Sequence, residues 1–287
     1  MNESTKKILR EFNTFFKIFL FPPFFYVLFL NLLDKSLLFF SRKKGNFINL
    51  SDLKKKERLF ILGNGPSIKH FNLKSIADED FISMNFFYKH DFYEVLSPFI
   101  HIMADPVKKN YTKQAAIEKE NLLNVIKKME GPFLFHESTK IYKNEFPKNK
   151  TFFFFDSLFS SIDISREKNF DFSTRIPRPR NSVQLALMLG IFIGYKEILI
   201  LGADEDQLVN KESFNHHFYA MTENEIKKES SNLTYRERLQ GKTKTFKGYE
   251  TILRAAKAKK ISIYNLNPSS YLDTFEFKQI NFKKNEK

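Results

Sequence analysis

Seven short apolar runs recur along residues 58–265, and several of them stop at Gly, Asn or Asp just before a loop. They fall at 58–63, 80–85, 99–103, 133–135, 151–155, 197–202 and 260–265. Continuous apolar runs of this length read as strands buried on both faces. Helical patterns fill the gaps between them. Apolar positions recur at helical spacing through 111–129 until Gly131-Pro132 stops them, and 247–259 repeats the pattern. Residues 181–193 contain no proline and are followed by Gly194, suited to a helix C-terminal cap. Strands alternating with helices predict an α/β fold with a doubly wound, mostly parallel Rossmann-like sheet. Sheets of this kind bind ligands at the carboxyl ends of their strands, where the polar residues of this chain stand.

Composition removes several chemistries. The chain has no cysteine among its 287 residues. A disulfide scaffold, a thiolate zinc site, an iron–sulfur cluster and a cysteine nucleophile are therefore out. The formal net charge is +14, but 35 phenylalanines, with abundant Lys and Asn, point to the codon bias of an AT-rich genome. The basic balance is thus weak support for a nucleic-acid partner. With no zinc knuckle and no RNP-type aromatic signature in the sequence, none is expected.

Residues 1–58 differ from the rest, with twelve Lys/Arg against five Asp/Glu, half of the net charge. They contain the apolar stretch 15–33, whose uninterrupted part, 18–30, is shorter than the roughly 20 residues of a spanning helix. Pro22-Pro23 breaks it near its start. No small-x-small site follows, so a cleaved signal peptide is not expected. Lys6, Lys7 and Arg10 on one side and Arg42, Lys43 and Lys44 on the other would attract anionic headgroups. The expectation is a helical membrane-associated anchor and basic linker over 1–57, touching the membrane surface through residues 1–44. A tilted spanning helix and a hairpin packed on the protein's own core are the alternatives. Residues 58–287 form the α/β domain, with 204–246 as a lid region.

Within that domain, Gly63-Asn64-Gly65-Pro66-Ser67 follows the first strand. Its two glycines would let a ligand approach the backbone, and Ser67 would cap a helix whose N-terminus favours a phosphate. The bland alternative is a tight strand–helix turn. Asn85 and Asp105 close the next two strands, each a ligand contact or a turn residue. Arg175, Arg178 and Arg180, interleaved with Pro177 and Pro179, read as a stiff basic loop, either solvated or holding a carboxylate or phosphate. Asp204, in Gly-Ala-Asp-Glu-Asp, supplies one fixed carboxylate at a strand end; a metal site needs more oxygen ligands, so no metal is expected. His216 and His217 are either a surface pair or a source of one general base, with Tyr219 beside them.

Taken in order, these motifs resemble the bacterial sialyltransferases of glycosyltransferase family 42. The likeness runs over roughly residues 58–275. It rests on Gly-Asn-Gly-Pro-Ser, Asn85, Asp105-Pro106, Asn181-Ser182, Gly194-Tyr195-Lys196-Glu197-Ile198 into Gly202-Ala203-Asp204, and Asn267-Pro268-Ser269-Ser270. The resemblance implies a metal-independent, inverting transfer of an acidic sugar, sialic acid or Kdo-like, from a CMP donor to a cell-surface glycan acceptor. It implies no cofactor and a place at the cytoplasmic face of the bacterial inner membrane. It assigns donor binding to Asn64, Ser67, Asn85, Asp105 and Ser182, with Pro268 and Ser269 on the cytosine side, and Gly63 and Gly65 join them from the reading of the turn itself. Arg175, Arg178, Arg180 and Asp204 join them as donor contacts, and His216, His217 and Tyr219 stand as the catalytic candidates.

Three departures qualify the match. Asp105 replaces an asparagine of the family, Asn181-Ser182-Val183 replaces Thr-Ser-Gly, and Thr243-Lys244-Thr245-Phe246 stands where the family carries its histidine. Either the earlier histidine pair substitutes, or the donor or the reaction differs. An accessory-factor or pyrophosphokinase-like nucleotide-binding protein and a non-catalytic membrane-tethered binder stay open, as does a homo-oligomer.

Overall fold

The computed structural model describes residues 54–93, 96, 98–104, 113–128, 132–147, 150–209, 216–219 and 234–280, together with Phe29, Leu32, Leu33, Ser36 and Asp52. The expected anchor and linker over 1–57 lies outside the described residues, apart from these five positions and 54–57. So do Asp105 and the lid segments 210–215 and 220–233. Among the described residues, no helix is long and apolar enough to cross a membrane.

Nine strands are described: β1 Arg58–Leu62, β2 Asp80–Met84, β3 Ile100–Met103, β4 Phe133–His136, β5 Thr151–Ser161, β6 Arg175–Arg178, β7 Glu197–Leu201, β8 Ser262–Asn265 and β9 Glu276–Phe277. They form one sheet in the order β6-β5-β4-β3-β2-β1-β7-β8-β9, and every neighbouring pair is parallel. Three α-helices are described, α1 Lys113–Lys128, α2 Ser182–Ile193 and α3 Tyr235–Ala258. The chain winds outward from β1 to β6, then returns through α2 to place β7 on the other side of β1. That reversal is the topological switch point, where the loops after β1 and β7 diverge and leave a crevice.

The apolar runs are continuous because both faces of the sheet are covered. Leu59 and Ile61 of β1 pack with α2 and α3 on one face, while Phe60 and Leu62 pack with the 3-10 turns Pro66–His70 and Leu73–Ile76 on the other. Leu122 and Val125 of α1 cover Phe133 and Phe135 of β4. Helix α2 has only Phe192 outside the buried class, so its polar ends need partners inside the protein. Asn181 supplies one, its side chain accepting from Gln184 N at 2.9 Å, and Gly194 closes the other end at φ 90°.

The Gly194–Ile198 block is explained by folding. The Tyr195 hydroxyl donates to Asp80 at 3.0 Å, and the same carboxylate accepts from Lys55 N and Lys56 N at 2.8 and 2.9 Å. Asp80 thus fixes the linker to the amino-terminal edge of the sheet. Glu197 pairs with Arg58 at 2.8 Å and with Lys278.

β6 and α3 differ from the sequence reading. Residues Arg175–Arg178, expected as a loop, form β6, paired to Phe155 and Asp156 of β5. The strand is an edge, so the missing donor of Pro177 costs no ladder bond on its open side. Helix α3 begins at Tyr235, well before 247, behind a capping box of Thr234 and Glu237. Its buried residues start only at Gly248, so the first half carries no apolar period to read.

Candidate functional site

The ends of β1 and β7 are joined by their own backbones. Gly63 N donates to Leu201 O at 2.7 Å, and Gly65 N donates to Gly202 O at 2.8 Å. A Cβ on Gly63 would stand 2.2 Å from Gly202 O. The glycines expected to admit a ligand instead admit the neighbouring loop. Asp204 then binds three loops into one. Its carboxylate accepts from Ser67 N at 2.9 Å, from Asn267 Nδ2 at 3.0 Å and from Ser67 Oγ. Ser67, expected as a helix cap and donor contact, is therefore committed to Asp204, and it lies inside a five-residue 3-10 turn, Pro66–His70, that has no side-chain cap. Pro268 and Ser269 are exposed and do not line the crevice.

Between these loops and the start of α2 lies an open crevice of about 240 Å³. Asn64, Gly65, Asn85, Arg180, Ser182, Asp204, His216 and His217 all line it. Asn64 is 7% exposed; its Nδ2 donates to Met84 O at 3.2 Å, and its buried Oδ1 has no partner among the described residues. A buried acceptor left unpaired costs about 1–3 kcal/mol, which an incoming hydroxyl or N–H would recover. Asn85 takes the left-handed conformation at φ 51°, and its Oδ1 accepts from Ser182 Oγ at 3.4 Å. Ser182 and Val183 open α2, so their N–H groups have no acceptor within the helix, and both residues line the crevice. The helix N-terminus that faces the crevice is therefore that of α2, and not one following Ser67. A twelve-residue helix presents a partial positive charge there, suited to a phosphate.

The three arginines separate. Only Arg180 lines the crevice; Asp163 orients it through Nε at 2.9 Å and Nη2 at 2.7 Å, helped by Ser161 Oγ at 3.1 Å. Arg175 instead donates to Asp156 O at 2.7 Å and Arg178 to Asp156 Oδ2 at 2.7 Å, next to His136. This corrects the reading of one basic loop: the pairing of β6 with β5 commits Arg175 and Arg178 to Asp156 and leaves Arg180, beyond the strand, at the crevice. Burial alone would raise the Asp156 carboxyl, but the His136 hydrogen bond and the Arg178 charge hold it below the ordinary carboxylate range.

Residues 216–219 lie over the crevice. Phe218 N donates to Asn64 O at 2.8 Å, and the buried Phe218 ring meets Phe87 and His90 edge-on. The histidines on either side of that anchor differ. His216 Nδ1 is 3.3 Å from Asp206 Oδ1, an ion-pair distance when the ring is protonated. His217 stacks on Tyr219 at 5.0 Å, and Lys89 sits 4.4 Å from the Tyr219 ring centroid. Tyr219 supports His217 from outside the crevice wall.

Several groups at the site carried no sequence signal. Glu205 accepts from Tyr249 OH at 2.7 Å and Asn181 Nδ2 at 3.1 Å, and pairs with Lys242. Burial and the Glu205 charge push the Tyr249 hydroxyl well above its ordinary value. Asp204 and Glu205 thus each have their own donors, while Asp206 Oδ1 lies at ion-pair distance from His216 Nδ1 with no hydrogen bond between the two atoms. Among the described residues, no group of three or more His, Asp or Glu side chains is set to hold a metal ion. The arrangement offers an anion seat at α2 and Arg180, a hydrogen-bond acceptor at Asn64, a donor at Asn85, and an imidazole backed by a carboxylate.

No protein-family model matches the sequence, and no curated protein does. Solved structures do. The sialyltransferase CST-II in complex with a trisaccharide acceptor and CMP is 21% identical, with 80% of this chain and 88% of that chain covered and a TM-score of 0.48. CstII from Campylobacter jejuni in complex with cytidine-5′-monophosphate is 20% identical, with 80% and 87% covered and a TM-score of 0.46. The monofunctional alpha-2,3-sialyltransferase Cst-I from Campylobacter jejuni is 19% identical, with 80% and 83% covered and a TM-score of 0.47.

Proposed function

We propose that this chain is a membrane-associated, inverting glycosyltransferase that moves an acidic sugar, sialic acid or a Kdo-like relative, from a CMP donor to a cell-surface glycan. The observation that carries the reading is the opening of the α2 N-terminus onto the same crevice as Asn64, Asn85, Arg180 and a carboxylate-backed histidine. The ordered motifs resembling family 42 name the donor class. The apolar stretch 15–33 and its basic flanks support attachment through residues 1–44 to the cytoplasmic face of the inner membrane.

In this reading the acceptor hydroxyl oxygen attacks the anomeric carbon. The bond from that carbon to the CMP phosphate oxygen breaks, and its electron pair leaves with CMP. The hydroxyl proton passes to His216 Nε2, and Asp206, beside Nδ1, steadies the imidazolium that forms. The charge growing on the phosphate meets the first turn of α2 and Arg180. His217, stacked on Tyr219, shapes the wall.

A thermal-shift panel of CMP, CDP, UDP and ATP tests this. CMP should stabilise the protein most, and Asn64→Ala and Asn85→Ala should each weaken CMP by about tenfold or more, the value of a hydrogen bond to a charged group. Equal response to all four nucleotides, or unchanged CMP affinity in both variants, removes the reading. The anchor has its own test: the intact chain should need detergent or lipid, and deletion of residues 1–50 should relieve that need. A full-length chain that stays soluble without either sinks it.

A further inference from the structure

His101 stands in the middle of β3, fully buried, where its strand neighbours Ile100 and Ile102 are apolar core. Its imidazole is spent on two contacts. Nδ1 is 2.9 Å from Ser83 Oγ, on the β2 residue paired with it, and Nε2 is 2.9 Å from the carbonyl oxygen of Asn85. A carbonyl can only accept, so the proton sits on Nε2 and Nδ1 accepts from the serine hydroxyl. Burial pushes the histidine pKa down to about 3, so the neutral ring and this tautomer persist across the physiological range. The edge of Phe133 closes the ring in at 6.3 Å.

Asn85 needs such support. Its left-handed conformation is one that side-chain-bearing residues enter at a cost, asparagine less than most. Its N–H donates to Ile102 O at 2.9 Å, and its C=O receives the His101 proton. Both backbone groups are thus held by β3, which directs the side chain toward Ser182 and the α2 N-terminus. No packing requirement calls for a polar ring at this core position; an aliphatic residue would bury as well and leave the Asn85 carbonyl unpaired.

We propose that His101 is a positioning residue of the nucleotide site, acting through the Asn85 backbone without touching the ligand. The proposal rests on the nucleotide-sugar reading above. It follows that the donor affinity of the crevice depends on a side chain buried behind its wall.

The test uses the full chain in detergent, with His101→Leu, His101→Gln, Ser83→Ala and Asn85→Ala variants. Two readouts are taken below the melting temperature of each: amide hydrogen exchange at Asn85, and CMP affinity. His101→Leu should speed exchange at Asn85 and raise the CMP Kd about tenfold, the equivalent of one lost hydrogen bond. His101→Gln, whose amide can still donate to the carbonyl, should stay within about threefold of the parent on both. Ser83→Ala should also stay within that range for CMP, because the Asn85 contact survives. If His101→Leu binds CMP within about twofold of the parent while Asn85→Ala does not, His101 is structural only and the proposal is overturned. If the parent binds no CMP at all, the functional reading fails first, and exchange at Asn85 alone then decides whether His101 holds that turn.

Discussion

Gly63→Ala probes the tightest glycine site among the described residues. The new Cβ would stand 2.2 Å from Gly202 O, 2.8 Å from Gly202 C and 3.2 Å from Leu201 O. All three are backbone atoms of the β7 end, so no side-chain rotamer can relieve the contact. Overpacking in a well-packed region costs about 1–3 kcal/mol, and an obstacle of backbone alone puts this site near 3 kcal/mol. At about 2–4 °C per kcal/mol for a large domain, the melting temperature should fall by roughly 6–12 °C. The movement must also part the Gly63 N to Leu201 O and Gly65 N to Gly202 O bonds, displacing Asp204, so CMP affinity should fall with it. Two other glycines calibrate the measurement. An added Cβ at Gly194 meets nothing within 4 Å, but φ is 90°, so alanine pays about 1–2 kcal/mol in backbone strain alone. At Gly241, inside α3, nothing lies within 4 Å and φ is ordinary, so alanine should gain about 0.5–1 kcal/mol. Calorimetry of the three variants should rank them Gly63→Ala lowest, then Gly194→Ala, then the parent, with Gly241→Ala highest. A Gly63→Ala protein that melts with or above Gly194→Ala would refute the claim that β1 and β7 are pinned backbone to backbone.

Three further outcomes are expected. His216→Ala should lower kcat by about 10²–10⁴-fold with CMP binding kept; His217→Ala should do less, and turnover within about tenfold in both variants and in the double variant moves the base elsewhere. Transfer should persist in EDTA; full loss with rescue by magnesium or manganese would instead point to Asp204 and Asp206. Asp156, held below its ordinary value of 3.8, adds stability that is fully present above that pH and is lost as pH falls toward the lower folded value. Melting curves taken from about pH 5 to pH 3 should therefore fall more steeply for the parent than for Asp156→Asn, and parallel curves would discount the His136–Asp156–Arg178 cluster.

Much of the architecture was legible because its causes are local. An unbroken apolar run such as Leu59–Leu62, too short for a helix and ended by a glycine turn, suits a strand covered on both faces, and Asn181 and Gly194 bracket α2 with their own side-chain and backbone chemistry. The strand-end position of Asn64 and Asn85 was legible for the same reason, since Asn85 directly follows β2 and only Gly63 separates Asn64 from β1. What failed to show in the sequence is what depends on distant partners. Ser67 has the type and place of a helix cap, yet its hydroxyl goes to Asp204, 137 residues away. Arg175 and Arg178 look like Arg180 in the sequence and part company only because β6 pairs with β5. Lys242 on the polar half of α3 reaches Glu205, 37 residues back, and His101, one histidine in an apolar strand, acquires a role only when β2 places Ser83 and Asn85 beside it. Periodicity and capping are properties of contiguous residues, so the sequence determined the elements of this protein. Which polar group answers which is a property of surfaces brought together, and only the tertiary structure decided that.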